Sequence, residues 1–424
     1  MYIQSGIILF LGFIVSLVSS VNPRVLELNE RFLDVKKDGN WLVMFYAPWC
    51  AHCKRLDPIW SQVQQTLHTT NIRVSKMDCV SNKNACHLLK IQTYPTIMFL
   101  KGDQDQFIYN GDRSTEEIVH FTLRVANPPV RKFNNGELID RLKREKIIFF
   151  SYLGEPKGDL WDLYREVAVR FQPYSYFYHA PPSIAKKHFK SHGMPAIVVH
   201  KENNVYVFDE SEWSLSLNHS LHRWVNEERF PTFMKITRLN INSLMETNKF
   251  LVLAIVEENK VQEIPDHMKE FKNMVESVIK NYRDRFHRTF QFGWVGTPDL
   301  ANSIAMMKVP LPYLLVLNST TNHHHIPEDE PTQLTPEAIT IFLDSIQNQS
   351  AKTYGGNHFF ISLYRMYFEV LSNLSEMWKG NPVLTAVVFG LPLGFLSLIC
   401  YSICCADILD ADDEECDDGH EKKE

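Results

Sequence analysis

Apolar runs and amphipathic stretches alternate three times along the chain. In each repeat, an apolar run that predicts a buried strand is followed by a proline that introduces a second apolar run. The first runs and the prolines are Trp41–Tyr46 with Pro95, Ile147–Tyr152 with Pro195, and Phe250–Val256 with Pro310 or Pro312. The amphipathic helices predicted to close the repeats are Ser114–Ala126, Leu217–Glu228 and Thr335–Gln347. This alternation indicates an α/β layered fold in three similar units, at residues 21–128, 129–230 and 231–350.

Two further apolar segments lie near the ends of the chain. Ile7–Val18 is almost uncharged and is followed by small residues, which predicts a secretory signal peptide at residues 1–20, with an uncleaved anchor as the alternative. No charge occurs from Val383 to Ala406, and about 20 apolar residues suffice to span a bilayer. We therefore expect one transmembrane helix at 382–406, preceded by a juxtamembrane segment at 351–381 and followed by an acidic cytosolic tail at 407–424.

These two segments predict a single-pass, type I membrane protein whose bulk is translocated. Four Asn-x-Ser/Thr glycosylation sequons fall in the translocated part: Asn218, Asn318, Asn348 and Asn373. The formal net charge is −6, and the chain holds no basic cluster large enough to follow a phosphate backbone. We therefore expect lipid around the single span and no nucleic-acid partner.

The candidate chemistry lies directly after the first apolar run, where Cys50 and Cys53 form a Cys-x-x-Cys motif. The motif opens a helix-like pattern, and unpaired N–H groups at a helix N-terminus favour an anion. Cys50 should therefore have a lowered pKa and act as the nucleophile, with Cys53 as the resolving thiol and His52 stabilising the thiolate. The alternative is half of a zinc site, but no second pair of ligands follows at metal-ligand spacing. We expect neither a metal nor a cofactor.

The stretch Tyr46-Ala-Pro-Trp-Cys-Ala-His-Cys-Lys54 resembles the active site of the protein disulfide isomerase family within the thioredoxin superfamily. The resemblance implies three tandem thioredoxin-like domains, of which only the first is redox-active, in a protein of the endoplasmic reticulum membrane. It also implies that Pro95 has a cis peptide bond and faces the cysteine pair, with Pro195 in the matching position of the second unit. Cysteine-containing luminal clients and an unidentified luminal redox partner are the partners that the resemblance implies.

Cysteine usage fits this division of the chain. Cys79 and Cys86 are the other two cysteines of the first unit, and an oxidising compartment favours a structural disulfide between them over two free thiols. No cysteine occurs between Cys86 and Cys400. Cys404 and Cys405 lie at the expected cytosolic end of the span, where palmitoylation and a role as small helix residues are equal alternatives.

The chain departs from the family pattern at two positions. Ala51 replaces the usual glycine between Cys50 and His52, which should change the redox potential only slightly. Met44 replaces a buried carboxylate that relays a proton from the resolving cysteine, and it should leave Lys76, the usual partner of that carboxylate, unpaired. Arg113 matches a loop arginine that can assist ionisation instead, with a solvated loop charge as the alternative.

A histidine run, His323–His325, could bind a metal, but the prolines and acidic residues after it favour an exposed loop. The leading functional hypothesis is a membrane-anchored thiol–disulfide oxidoreductase or isomerase that acts on folding clients. The alternative is a client-binding adaptor or chaperone with vestigial redox activity, which Met44 and the two cysteine-free units favour.

Overall fold

A computed structural model describes residues 25–412, apart from 103–104, 190–192, 210, 212–215, 260–262 and 332. The predicted signal peptide and all but the first residues of the predicted acidic tail lie outside the described residues. Three mixed α/β sheets follow one another along the chain. The predicted alternation of strands and helices is therefore confirmed.

The first sheet has five strands in the order β1-β3-β2-β4-β5. They are β1 (Leu26–Leu28), β2 (Asn40–Tyr46), β3 (Ile72–Asp78), β4 (Thr96–Lys101) and β5 (Asp105–Tyr109). Strand β3 runs parallel to β1 and β2, whereas β4 is antiparallel to β2 and β5. The helices of this part are α1 (Phe32–Val35), α2 (Ala51–Leu67), α3 (Lys83–Leu88) and α4 (Thr115–Ala126).

Strand β2 is buried on both faces because its side chains alternate between two apolar clusters. Leu42 and Met44 pack with Trp60 of α2 and Phe121 of α4. The alternate residues of β2 pack with Phe32 and other side chains on the opposite face of the sheet. A strand fixed from both sides delivers its carboxyl end, and hence the start of α2, to one defined position.

The second sheet has the strand order β10-β9-β7-β8-β6. Its strands are β6 (Val130–Lys132), β7 (Phe149–Leu153), β8 (Tyr176–Ala180), β9 (Ala196–Lys201) and β10 (Asn204–Val207). Its helices are α5 (Glu137–Arg144), α6 (Asp159–Phe171), α7 (Pro182–His188) and α8 (Leu217–Glu228). The core of this sheet contains no cysteine and is rich in aromatic residues, including Phe150, Tyr164 and Phe177.

The third sheet has the order β11-β13-β12-β14-β15-β16. Its strands are β11 (Phe233–Lys235), β12 (Phe250–Ile255), β13 (Phe290–Val295), β14 (Tyr313–Asn318), β15 (His323–His325) and β16 (Tyr354–Gly355). Its helices are α9 (Ile241–Met245), α10 (Asp266–Asn281), α11 (Arg283–Phe286), α12 (Pro298–Ala305) and α13 (Pro336–Gln347). The described chain forms two compact units, which are residues 25–253 with 275–294 and residues 254–274 with 295–412.

The histidine run was predicted as an exposed loop, and this prediction is wrong. His323–His325 forms β15, which pairs antiparallel with β14 on one side and with β16 on the other. His324 and His325 are buried, and His325 Nδ1 lies 3.0 Å from the Lys352 carbonyl oxygen. Burial lowers the pKa of His324 to about 4, so its ring is neutral at physiological pH.

A buried ionic cluster lies at the end of α8. The carboxylate of Glu228 accepts hydrogen bonds from Arg283 and His287 at 2.8 and 2.6 Å, and Lys201 Nζ lies 2.7 Å from it. Although burial raises the pKa of Glu228, the Lys201 charge and the His287 hydrogen bond bring it well below its usual range. The carboxylate therefore stays ionised and ties β9 and α8 to α11.

Two long helices end the described chain, α14 (Phe359–Gly380) and α15 (Pro382–Asp412). Pro382–Ile403 has a mean hydropathy of 2.3 and is long and apolar enough to cross a membrane. The apolar C-terminal helix expected from the sequence is therefore present. Helix α14 fills most of the segment that the sequence marked only as juxtamembrane.

Candidate redox site

Cys50 is the N-cap of α2, immediately after the turn that ends β2. Its backbone N–H donates to the Ala47 carbonyl oxygen at 3.0 Å, which closes this turn. Its Sγ accepts a hydrogen bond from the Cys53 backbone N–H at 3.2 Å. A sulfur atom thus occupies the place of the capping oxygen that serine or aspartate supplies at other helices. The side chain is only 6% exposed.

The surroundings of the two thiols move their pKa values in opposite directions. Burial raises the pKa of Cys50, but hydrogen bonds from the Cys53 thiol and from the Cys53 and His52 N–H groups bring it below its ordinary value. Burial and the neighbouring Cys50 raise the pKa of Cys53 to about 11. Within the reduced pair the negative charge is therefore favoured on Cys50 and the proton on Cys53.

His52 acts on Cys50 through its backbone N–H group, whereas the sequence left open whether its charge or a hydrogen bond stabilises the thiolate. The His52 N–H is one of the hydrogen bonds that lower the pKa of Cys50. The ring is exposed, and its Nδ1 lies 2.9 Å from Arg55 Nη2. Any residue at this position except proline would supply the same N–H group.

Pro95 precedes β4, and its peptide bond with Tyr94 is cis. Tyr94 packs against the small cluster of Ala47, Cys50 and Cys53. Its ring also contacts the edge of Trp49, with the centroids 6.1 Å apart. Cis bonds also precede Pro195 and Pro312, and of the two candidate prolines in the third repeat the cis bond falls at Pro312.

Arg113 is half-buried in the loop before α4. Its positive charge lowers the pKa of both Cys50 and Cys53, although its effect on Cys50 is smaller than that of the hydrogen bonds. The structure therefore brings Arg113 within electrostatic range of the thiols.

The expectation that Lys76 is unpaired is wrong. Lys76 is the register partner of Met44 on the neighbouring strand, and its Nζ lies 3.7 Å from Asp57 Oδ1. It also lies over the Tyr46 ring, 5.2 Å from the centroid. Asp57 belongs to α2, four residues after Cys53, and sequence reasoning missed it. An acidic residue on the helix that packs over Met44 and Lys76 could have identified this partner.

Met44 is almost fully buried in the apolar cluster beneath α2. The pKa of Cys53 is shifted by its burial and by three groups, Cys50, the Ala47 backbone and Arg113. None of these groups is a carboxylate. The Met44 side chain therefore offers Cys53 no group that could accept its proton.

Cys79 and Cys86 are joined by a disulfide with a Cα–Cα distance of 5.7 Å. It links the residue after β3 to α3, and both cysteines are buried. Cys50, Cys53 and Cys400 are free thiols. Among the residues that the structure describes, no three His, Cys, Asp or Glu side chains form a group that could hold a metal ion.

The predicted modification sites differ in accessibility. Asn218, Asn348 and Asn373 are exposed, whereas Asn318 is half-buried and its Oδ1 accepts the Thr320 backbone N–H at 2.9 Å. Cys404 and Cys405 fall within α15, but their side chains lie outside what the structure describes.

Comparison with known proteins identifies relatives of this chain. A thioredoxin family model matches residues 25–124, and a thioredoxin-like domain model matches residues 153–345. Protein disulfide-isomerase TMX3 of Xenopus laevis is 34% identical over 95% of this chain and 89% of its own length. The protein of the same name from Homo sapiens is 31% identical over 90% of this chain and 82% of its own length. Among solved structures, human ERp44 in its zinc-bound form is 17% identical. The alignment covers 77% of this chain and 92% of that chain, with a TM-score of 0.33.

If Arg113 helps to ionise Cys50, Arg113→Gln should slow alkylation of Cys50 at a pH below the ordinary thiol pKa of about 8.5. Loss of the positive charge raises the pKa of Cys50, so less thiolate is present at that pH. At a pH far above the Cys50 pKa of both the wild type and the variant, the two alkylation rates should be equal. Peptide mass spectrometry of pulse-alkylated protein would measure Cys50 separately. Lys83→Gln, which removes a positive charge in the same part of the fold, is the control. If the pH profiles of Arg113→Gln and wild type coincide, Arg113 is a solvated charge that does not act on Cys50.

Proposed function

The chain belongs to the protein disulfide-isomerase TMX3 family, and from this premise we propose that Cys50 and Cys53 exchange disulfides with client proteins in the endoplasmic reticulum lumen. The predicted family and the predicted class of enzyme, a membrane-anchored thiol–disulfide oxidoreductase, are confirmed by the relatives. The single observation that supports the residue assignment is Cys50 Sγ at the start of α2, 3.2 Å from the Cys53 N–H group.

In the reducing direction, the Cys50 thiolate attacks one sulfur of a client disulfide. A new bond joins Cys50 to the client, and the other client sulfur leaves as a thiolate that takes up a proton. The Cys53 thiol then loses its proton and attacks Cys50 Sγ. This step releases the second client thiol and leaves Cys50 and Cys53 joined, so two electrons pass from the pair to the client. Oxidation of a client dithiol is the same sequence in reverse.

The pKa difference between the two thiols determines how readily the pair oxidises a client and how fast Cys53 attacks the mixed disulfide. Hydrogen bonds that stabilise the Cys50 thiolate stabilise the dithiol state over the disulfide, and this makes the pair a better oxidant. Burial disfavours the charged form of Cys53, which keeps this thiol protonated and slows its attack on the mixed disulfide. A luminal redox partner must restore the pair after each net transfer.

Client contact is assigned to the surface around the nucleophile. Trp49 precedes Cys50 and is 73% exposed, which is unusual for so large an apolar side chain. Tyr94 packs against it beside Pro95. We place the client next to Trp49 and Pro95, where it can reach Cys50 from the exposed side.

The finer organisation is also part of the proposal. Three thioredoxin-like domains at 21–128, 129–230 and 231–350 are supported by the three sheets and by the absence of cysteine between Cys86 and Cys400. We place a cleaved signal peptide at 1–20 and a transmembrane helix at 382–406, which together give a type I topology; the candidate span Pro382–Ile403 supports the second of these. In this topology the acidic tail at 407–424 is cytosolic and the sequons are luminal. The two cysteine-free domains would then supply surface for clients and no redox chemistry.

Cys53→Ser should trap clients as mixed disulfides, because Cys50 still attacks and no second thiol displaces the product. Non-reducing gels of cells that express this variant should show high-mass adducts. The adducts should disappear on reduction and in the double variant Cys50→Ser/Cys53→Ser. If no adducts form although the variant is folded and membrane-bound, the client-binding adaptor becomes the better account.

Met44→Glu should accelerate the resolving step, because a carboxylate at this buried position can accept the proton of Cys53. General-base assistance is typically worth about 10²- to 10⁴-fold, and we expect an increase of at least about tenfold. Lys76, the register partner of Met44, can exchange Asp57 for the new carboxylate. The substitution should cost about 1–3 kcal/mol of stability, because a polar group replaces a packed apolar one.

Stopped-flow measurement of mixed-disulfide decay would test this, at equal concentrations of folded protein. Met44→Gln is the matched control, because it has the same shape as Met44→Glu but cannot accept the proton. Faster decay in Met44→Glu alone supports the relay account. Equal rates in the wild type and both variants would mean that water or Arg113 already suffices.

A further inference from the structure

Helix α14 exposes a continuous apolar face. Arranged at 3.6 residues per turn, its large apolar side chains cover one side, and its charged residues gather on the other. The exposed members of the apolar face are Phe359, Phe360, Leu363, Tyr364, Met366, Tyr367, Val370, Leu371, Met377 and Trp378. No residue of α14 is buried. So long an apolar face is not left in water by an ordinary soluble surface helix.

The other side of α14 is bound to the neighbouring fold. Ser303 Oγ of α12 donates to Glu369 Oε1 at 2.6 Å. Arg365 Nη2 donates to the Gly356 carbonyl oxygen at 3.4 Å, just beyond β16. Both bonds are made by residues on the charged side of the helix, so the apolar face is turned away from α12 and from the segment after β16.

The connection of α14 to the span indicates what covers this face. A single residue, Asn381, separates α14 from α15, the helix that contains the candidate membrane span. Its N–H donates to the Met377 carbonyl oxygen at 2.9 Å, and its Oδ1 accepts the Leu384 N–H at 3.0 Å. The junction is therefore hydrogen-bonded on both sides, and α14 joins the helix of the candidate span without a flexible linker.

The two helices also share an apolar crevice. Leu371 and Trp378 line it from α14, and Phe389 and Leu393 line it from α15. Since α15 crosses the hydrocarbon region, the apolar face of α14 continues the lipid-facing surface of the span. Five aromatic residues lie on the exposed face, and tyrosine and tryptophan are enriched where membrane meets water.

We propose that α14 lies in the luminal interface of the bilayer, with its apolar face against the acyl chains and its polar side toward the α/β body. The occupant of the face is thus lipid. Only two basic residues, Arg365 and Lys379, stand against Glu369 and Glu376 on this helix. Binding therefore rests on burial of apolar area, and it should not require anionic headgroups.

The test uses the full-length chain in vesicles, with Cys50, Cys53, Cys400, Cys404, Cys405 and Cys416 replaced by serine and the Cys79–Cys86 disulfide retained. A nitroxide label is attached at Val370→Cys on the apolar face or, as matched control, at Glu376→Cys on the polar side. Both native side chains are outside the protein core, so labelling leaves the packing intact. Power-saturation spectroscopy then compares collisions with oxygen, which concentrates in hydrocarbon, and with a water-soluble nickel complex.

The label at position 370 should show an oxygen-to-nickel collision ratio several-fold above that of the label at 376. The second pair, Leu363→Cys and Ser362→Cys, should repeat this difference. Both results should be the same in phosphatidylcholine vesicles with and without phosphatidylserine. Equal ratios for the two sides, a difference that appears only with phosphatidylserine, or dipolar broadening between labels at 370 on two copies would each overturn the proposal. The last result would assign the face to a second copy of the chain.

Discussion

The structure depends most on the placement of one sulfur atom at the start of α2. The helix leaves its first N–H groups without partners, and Cys50 Sγ accepts the one from Cys53 at 3.2 Å. This position follows from β2, which is buried on both faces and therefore ends at a fixed point. The three residues between strand and cysteine close a turn on the Ala47 carbonyl oxygen. The lowered pKa of Cys50 thus comes mainly from hydrogen bonds at the start of α2, given by the Cys53 thiol and by the Cys53 and His52 N–H groups, with a smaller contribution from the Arg113 charge.

The burial that holds Cys50 in place also raises the pKa of Cys53. The site therefore favours the first step of the exchange reaction, attack by Cys50, over the second step, attack by Cys53. A thiol whose pKa is lowered forms the attacking thiolate more readily. The second step needs a proton acceptor, and the position beside Lys76 that could hold one is occupied by Met44. Lys76 instead pairs with Asp57 on the solvent side of α2. The site therefore combines Cys50, whose pKa is lowered, with Cys53, whose pKa is raised and is not shifted by any neighbouring carboxylate.

Patterns of local origin were predictable from the sequence. Cys50 precedes a helix and Ser114 caps another, since strand and capping preferences are written into neighbouring residues. The predictions were wrong where the local structure or the partner of a residue depends on a distant part of the chain. His323–His325 is a strand because β14 and β16 pair with it, and β16 lies beyond α13 in sequence. The partner of Lys76 depends on how α2 packs over β3. Helix α14 was missed although its apolar residues recur at helical spacing, because the segment was assigned only by its position next to the expected span.

The most direct test of the account is the reduction potential of the Cys50–Cys53 pair in the full-length chain. The pair would be equilibrated with glutathione buffers of graded ratio, quenched with acid, and scored by alkylation and peptide mass spectrometry. Stabilisation of the Cys50 thiolate predicts a value near the poise of the endoplasmic reticulum, about −180 to −210 mV, which permits exchange in both directions. A value at or below that of thioredoxin, about −270 mV, would contradict the account, because the helix N-terminus would then not favour the dithiol.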